Sequence, residues 1–414
     1  MAIQAPGMTV ITRPGRPLSF SLQRPVRRAG VYGPLGGENR TAGTCAMKKF
    51  PFPLLIPLAM LLLAAGLYIH NYVTFVHTPP ALTDKEKRMI ETLFSTTKTQ
   101  CVGRYVFEVP VSFENTLTDR AKINEVSISS KRFYLQAFEQ RIRQREQELQ
   151  NEHTVRKMDQ PFLKQVYRVS ENAVIFDRNR NGSEGGYGRT LEGHLYVNGV
   201  AFILTQDIID LSDPKYQKDK QDFIRAGVSV DHLNIKPQKL AELRDLMSRL
   251  SGRNEHEIPT QPGTCIPEGF IRDGNNQSRE DITFIYPHNQ VFSFVVWSNN
   301  FLKESTNMME RSDEIQSYLT QIDARTLRKG KTKISGFDAS EWLATAPSEK
   351  SPNNASAQLL FTAVANEKTA DFGHPNLDLT LNNHALPPPI YSDAELVEIW
   401  DRITRSFRIR NNAF

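Results

Sequence analysis

Reactive chemistry in a chain shows first in its histidines, cysteines and glycine-rich turns, and here their spacing fits none of the common reactions. The nine histidines (His70, His77, His153, His194, His232, His256, His288, His374 and His384) include no H-E-x-x-H or H-x-x-x-H pair. A zinc protease needs two imidazoles one helical turn apart with a glutamate base, so that chemistry has no scaffold. There is no G-x-S-x-G elbow, Walker motif, EF-hand loop or C-x-x-C. Glu255-His256-Glu257 has the residue types to hold a metal or pass a proton, but it stands in a stretch with the composition of a solvated linker. Gly182 to Gly188 (GSEGGYG) is rich enough in glycine to suggest a phosphate cradle. A cradle needs a strand before it and a helix after it, with the helix N-terminus facing the anion. A strand pattern follows instead, which predicts a hairpin loop.

That loop is flanked by Arg178, Arg180 and Arg189 and tipped by Tyr187. Arginine and tyrosine bring area and donors to an interface at modest ordering cost, so the chemistry these four offer is recognition of a protein partner. The residues assign no catalytic group, no metal ligand and no cofactor. The remaining reactive pair is Cys101 and Cys265, the two cysteines that follow the apolar run described next; Cys45 precedes it. Outside the cytoplasm they are open to oxidation. Two readings stand at this stage, a bridge closing a very long loop or two buried thiols.

The chain has 414 residues, 51 basic and 46 acidic, with 39% hydrophobic side chains, a globular composition with room for two domains. Residues 1–49 carry eight Lys/Arg against the single acid Glu38, a net of +7, so in a chain of +5 overall the remainder totals −2. The basicity belongs to a tail and not to a nucleic-acid groove, and no nucleic-acid partner is expected. From Phe50 to Thr83 there is no formal charge. The segment from Phe50 to Tyr72 contains about 20 apolar residues, enough to span a hydrocarbon core of about 30 Å. Lys48 and Lys49 precede it, which by the positive-inside rule puts everything after it outside the cytoplasm. The run is longer than a signal-peptide core and lacks a closing A-x-A, so a retained anchor over 50–75 is expected rather than a cleaved signal. The expected location is the inner membrane, single-pass, with the folded part in the periplasm. Translation starting at Met1 or at Met47 both fit, since Met47-Lys48-Lys49 reads as a natural start.

The elements that must position the candidate residues follow from pattern. Thr83 and Glu86 form a capping box for a helix near 84–96. Strand patterns run over Val102–Val109 and Ile123–Ser129, and an amphipathic helix over about 132–152. More strands follow near 163–169, 173–178, 190–197 and 200–207, the last two joined by the hairpin signal Asn198-Gly199. A helix over 237–250 closes an N-terminal domain of residues 84–250. Residues 251–264, with two Gly and two Pro, read as a linker. The C-terminal domain, 265–410, repeats the flavour. It has strands near 280–286 and 290–297, a helix near 305–322, and strands near 331–335, 337–344, 357–365 and 376–381. A Pro387–Pro389 turn and a helix over Asp393–Phe407 end it. The fold class expected is α+β, two domains each built on a mainly antiparallel sheet with a few packed helices, after an N-terminal transmembrane helix.

Four stretches together carry a family resemblance: CVGRYVFEVP (101–110), GTCIPEGFI (263–271), LRKGKTKISGFDASEWL (327–343) and EIWDRITRSFRIR (398–410). In this order, behind an apolar anchor, they resemble the two-domain Tle cognate immunity proteins that neutralise phospholipase effectors of type VI secretion, the fourth lipase-effector family. The resemblance covers about residues 85–410. It implies a non-enzymatic periplasmic inhibitor that grips an incoming lipase with both lobes and needs no cofactor or small-molecule substrate. No contact residue carries over by motif. Besides the Arg178–Arg189 loop, the Asp273–Glu280 loop and the cleft between lobes are candidates. From the residues alone two other classes stay open: a membrane-anchored structural or sensory envelope protein, and a periplasmic hydrolase with catalytic carboxylates on separate strands. For the cysteines, a bridge predicts that neither thiol is labelled in unreduced, denatured protein. Full labelling of both discards it.

Overall fold

A computed structural model describes residues 81–114, 119–289, 291–347, 357–383 and 390–414. The basic tail, the Phe50–Tyr72 run and the Pro387–Pro389 turn lie outside them. Among the described residues no helix is long and apolar enough to cross a membrane.

The first element, helix α1 (Asp84–Leu93), starts on the expected capping box, with Glu86 N donating to Thr83 Oγ1 at 3.3 Å and Thr83 N to Glu86 Oε2 at 2.7 Å. Strands β1 (Thr97–Val102) and β2 (Tyr105–Pro110) then form a hairpin where the sequence pattern predicts one strand. The break is Gly103, whose φ of +58° lies in the left-handed region that a side chain disfavours. The next hairpin, β3 (Arg120–Ile123) and β4 (Val126–Arg132), likewise replaces one expected strand, turning at Asn124 with φ +46°. Helix α2 (Leu135–Asn151) leads into β5 (Leu163–Ser170), β6 (Ala173–Asn179), β7 (Gly188–Val197) and β8 (Val200–Ile209). Alternate residues of β6 face opposite layers. Val174 and Phe176 pack with Phe138, Ile142 and Leu149 of α2. Ala173 and Ile175 share the main core with Leu243, Leu246 and Met247 of helix α4 (Lys236–Arg249). Covering both faces is why these strands are apolar at both parities. Helix α3 (Gln217–Arg225), which buries no residue, was not expected from pattern.

After α4 come β9 (Leu250–Gly252), β10 (Gly263–Ile266), β11 (Gly269–Arg272), β12 (Glu280–His288) and β13 (Phe292–Asn299). Helix α5 (Ser312–Gln321), β14 (Arg325–Ile334), β15 (Phe337–Pro347), β16 (Ala357–Ala365), β17 (Asn376–Asn382), helix α6 (Asp393–Arg405) and β18 (Arg408–Ile409) complete the chain. The architecture is α+β and mainly antiparallel. Its strands, however, do not stop at a domain boundary. One 12-stranded sheet runs β14-β15-β16-β17-β13-β12-β3-β4-β8-β7-β6-β5, every neighbour antiparallel. Its seam is β3 against β12, from Glu280 opposite Ile123 to Thr283 opposite Arg120. Thr78–Phe414 accordingly forms one compact unit.

Chain order and packing also part company at the ends. Phe107 of β2 stacks on Phe407 at 4.3 Å between centroids and meets Tyr286 and Phe294. Ser392 Oγ donates to Glu86 Oε1 at 2.6 Å, Arg402 pairs with Glu91 at 2.6 Å, and β18 adds to β2. Helix α1 and the first hairpin therefore pack on the C-terminal half. The stretch 251–264 is likewise held down. The buried guanidinium of Arg253 donates to the carbonyls of Asn254, Glu255 and Glu257 (3.0–3.2 Å). Arg410, also buried, donates to those of Pro259, Gln261 and Gly263 (2.6–2.8 Å). A glycine- and proline-rich segment reads as a linker because its polar backbone has no local partner; here two arginines supply the donors.

Cys101 and Cys265 are joined, Cα atoms 5.8 Å apart, and both are buried. The bond closes a loop with a sequence separation of 164, for which the chain-entropy model gives an upper figure of about 5 kcal/mol. Beside it, Gly103 and Cys265 exchange backbone hydrogen bonds of 2.9 and 2.8 Å. Arg104 follows at once, fully buried. It grips both oxygens of Asp273 (3.0 and 2.7 Å), bonds Glu280 at 2.5 Å and the carbonyl of Ala413, and lies 4.1 Å from the Phe372 ring centroid.

One buried carboxyl in this frame has a pH signature. Asp378 on β17 is raised to about 7, burial outweighing its hydrogen bonds with the Thr380 and Thr362 hydroxyls. The unfolded chain ionises this group near pH 4, so stability is lost as pH climbs from about 4 through about 7. Asp378→Asn is expected to stabilise by roughly 2 kcal/mol at about pH 8 and to change little at about pH 4. Thermal midpoints at the two pH values check this; a shift that does not depend on pH contradicts it.

Candidate protein-binding surface

The β6–β7 connection carries the four residues singled out in the sequence, and the structure separates them into two kinds. Arg178 leaves the end of β6 and bonds inward, Nε to Glu192 Oε2 at 2.6 Å. Glu192 also receives Arg145 (2.8 and 2.9 Å) and His194 Nε2 (2.9 Å). Burial by itself would raise that carboxyl, but the hydrogen bonds from His194, Arg145 and Arg178 hold it well below the usual range. Arg189, at the start of β7, is buried between Asp177 and Asp210 at 3.0 and 3.1 Å, with Lys236 adding 3.3 and 3.5 Å contacts to the same carboxylates. Neither guanidinium is free for a partner.

Arg180 and Tyr187 are placed differently. Arg180 reaches Asp207 and Glu184 at 3.2 Å with 36% of its side chain exposed. Tyr187 is half-buried, its ring edge-on to Tyr216 and Phe223 at 5.5 and 5.7 Å. The loop is propped from below, because a Cβ on Gly186 would sit 2.4 Å from the Tyr216 hydroxyl, so only glycine permits the approach. From the side, Val155 N donates to Gly182 O at 2.8 Å, which leaves Val155 (80% exposed) and Met158 at the surface beside it.

The second surface lies at the seam. Helix α4 forms one wall of a groove of about 460 Å³, and the 273–279 connection between β11 and β12 forms the other. The turn between β3 and β4 supplies its end. The walls thus come from opposite halves of the chain, held in register by the β3–β12 pairing. Asn124 fixes this end, its N donating to Arg279 O at 2.7 Å and its Oδ1 accepting from Arg279 N at 2.9 Å. Along α4, Lys239 pairs with Glu242 at 3.0 Å and Glu125 at 3.5 Å, and Arg249 with Asp245 at 2.9 Å. Opposite stand the exposed amides Asn275, Asn276 and Gln277. Adaptable amides and charges of both signs equip the groove for hydrogen bonding and ion pairing with a polypeptide.

Of the sequence-named candidates, the Asp273–Glu280 loop and the cleft meet in this groove, and the Arg178–Arg189 loop stands apart from it. Asn124, Lys239 and Arg249 were missed; the polar Asn124-Glu125 pair interrupting an alternating strand was the available signal. Glu255, from the suspected metal cluster, pairs with Lys98 at 3.0 Å, and among the described residues no group of three or more ligands converges.

Because Arg189 joins buried carboxylates and Arg180 joins the exposed ones of Glu184 and Asp207, their alanine variants should differ in stability. Arg189→Ala leaves Asp177 and Asp210 with Lys236 as their one cation among the described residues and is expected to cost about 3 kcal/mol, whereas Arg180→Ala should stay within about 0.5 kcal/mol. Urea unfolding midpoints distinguish the two; equal losses would mean that Arg189 is not the internal clamp.

Comparison with known proteins follows the same two-part layout. Residues 98–253 match the family model "Tle cognate immunity protein 4 N-terminal domain", and residues 257–412 match "Tle cognate immunity protein 4 C-terminal domain". No curated protein matches the chain. Among solved structures, the apo immunity protein TplEi of the type VI secretion system of Pseudomonas aeruginosa aligns at TM-score 0.60 and 20% identity, over 76% of this chain and 97% of its own. The crystal structure of the Tle4–Tli4 complex aligns at TM-score 0.61 and 20% identity, over 77% and 98%. TplEi complexed with an "L" peptide aligns at 0.56 and 20%, over 76% and 98%. At that identity the structures establish a shared fold, and the two family models, which together span most of the chain, establish descent: the chain belongs to the Tle cognate immunity protein 4 family.

Proposed function

We propose that this chain is the antidote to a cognate type VI secretion lipase effector, a non-enzymatic protein that binds the phospholipase in the periplasm and protects the cell that makes it from its own or a sibling's toxin. The observation that carries the reading is the presence of both family domains in order, on a body whose two halves share one sheet. An inhibitor needs a preformed surface burying about 1,600 Å² with a few central anchors. A groove walled by both halves, with a second patch at Arg180, Tyr187, Val155 and Met158, meets that need. Because the disulfide, Arg104 and the seam already fix the walls, little ordering cost remains when a partner docks.

The apolar segment from Phe50 to Tyr72 anchors the antidote in the inner membrane as a single-pass protein, with its basic tail in the cytoplasm. Tethering raises its effective concentration next to the phospholipids that such a toxin attacks. The bound partner is thus a protein, met at the membrane surface.

Co-expression tests this. The lipase effector encoded with this protein, exported to the periplasm, is expected to lyse cells that lack the protein and to spare cells that make it, and the two should copurify. Lysis that proceeds unchanged, with no copurification, overturns the reading.

A further inference from the structure

Arg279 stands at the mouth of the seam groove in a state unlike the other basic residues there. Lys239 and Arg249 are matched by Glu125, Glu242 and Asp245. Among the described residues Arg279 has no carboxylate partner; its guanidinium lies over the Phe301 ring, 4.0 Å from the centroid. Its backbone is pinned from both sides by Asn124. The side chain is exposed, yet both its root and its plane are constrained. A stacked, preoriented guanidinium loses little freedom when it forms a bidentate bond to a carboxylate.

The groove is also electrically lopsided. Its α4 side carries three carboxylates against two bases, and Glu125 and Asp245 each keep 62% of their side chains exposed. The facing loop contributes Arg279 and neutral amides. A segment that fits this field turns an acidic side chain toward Arg279 on the loop wall and a basic one toward Glu125 and Asp245 on the α4 side.

We propose that the groove is the docking site for an extended segment of the lipase effector with that polarity, and that Arg279 is its anchor, paired with an acidic side chain of the effector. This rests on the effector-binding function proposed above and adds the place, the chemistry and the residue.

The test measures binding of the detergent-solubilised full chain to its copurifying lipase effector. Four variants are compared with the unaltered protein: Arg279→Glu, Arg279→Lys, Glu125→Lys and Arg141→Glu. The last makes the same charge change on the exposed side of α2, away from the groove. Arg279→Glu is expected to weaken Kd by about tenfold or more, Glu125→Lys by a smaller factor, and Arg141→Glu by less than about twofold. Arg279→Lys should fall between, since it keeps the charge and loses the planar fork. Thermal midpoints of all four should match the unaltered protein, because each altered side chain is exposed. If the unaltered chain binds the lipase and Arg279→Glu binds as tightly as Arg141→Glu, the groove assignment is wrong and the antidote function stands. If the unaltered chain does not bind the lipase, both fall.

Discussion

The structure depends on how the two halves are fastened, and the fastening is electrostatic at its centre. Arg104 is buried at the turn of the first hairpin, beside the cysteine bridge, and its charge is met by Asp273 and Glu280. Glu280 is also the first residue of the strand that pairs across the seam, and Asp273 opens the connection that walls the groove. A buried guanidinium is tolerated only where carboxylates and carbonyls surround it, so these groups cannot drift apart without stranding a charge. One side chain thereby ties the first hairpin, the groove wall, the seam and the end of the chain together.

Recognition surfaces profit from such fastening. A groove whose walls come from separate lobes would ordinarily lose part of its binding energy to the ordering of those lobes. Here the β3–β12 pairing makes them one sheet. The arginines follow the same division of labour. Those meeting internal carboxylates or carbonyls (Arg104, Arg178, Arg189, Arg253, Arg410) hold the frame, whereas Arg180, on the exposed carboxylates of Glu184 and Asp207, and Arg279, on the Phe301 ring, lie toward the surface.

Local grammar was legible in the sequence wherever a few neighbouring residues decide the outcome. The Thr83–Glu86 box, the Asn198-Gly199 hairpin and the helical stripes of α2, α4 and α6 all appear where spacing places them. Two hairpins were read as single strands because Gly103-Arg104 and Asn124-Glu125 lack the usual turn pairs, and α3 escaped because it buries nothing. The shared sheet was not legible, since β3 finds β12 about 160 residues further on and no local pattern records that choice. For the same reason Arg178 and Arg189 read as surface contacts. Their carboxylate partners lie on neighbouring strands or just past the end of one, so sequence showed the charge and hid its use. The groove was named by one wall, 273–280, whereas its other wall, on α4, presents only an ordinary charged helical face.

The pairing of β18 with β2 has a consequence for the order of assembly. The hairpin made near the start of the chain is completed by Arg408 and Ile409, and Arg104 beside it waits for the carbonyl of Ala413. Until residues 408–413 are in place the first hairpin keeps an unfinished sheet edge, and Arg104, already met by Asp273 and Glu280, lacks one carbonyl acceptor. Contacts of such sequence span carry a large loop-closure entropy, so this clasp is expected to close after the local hairpins.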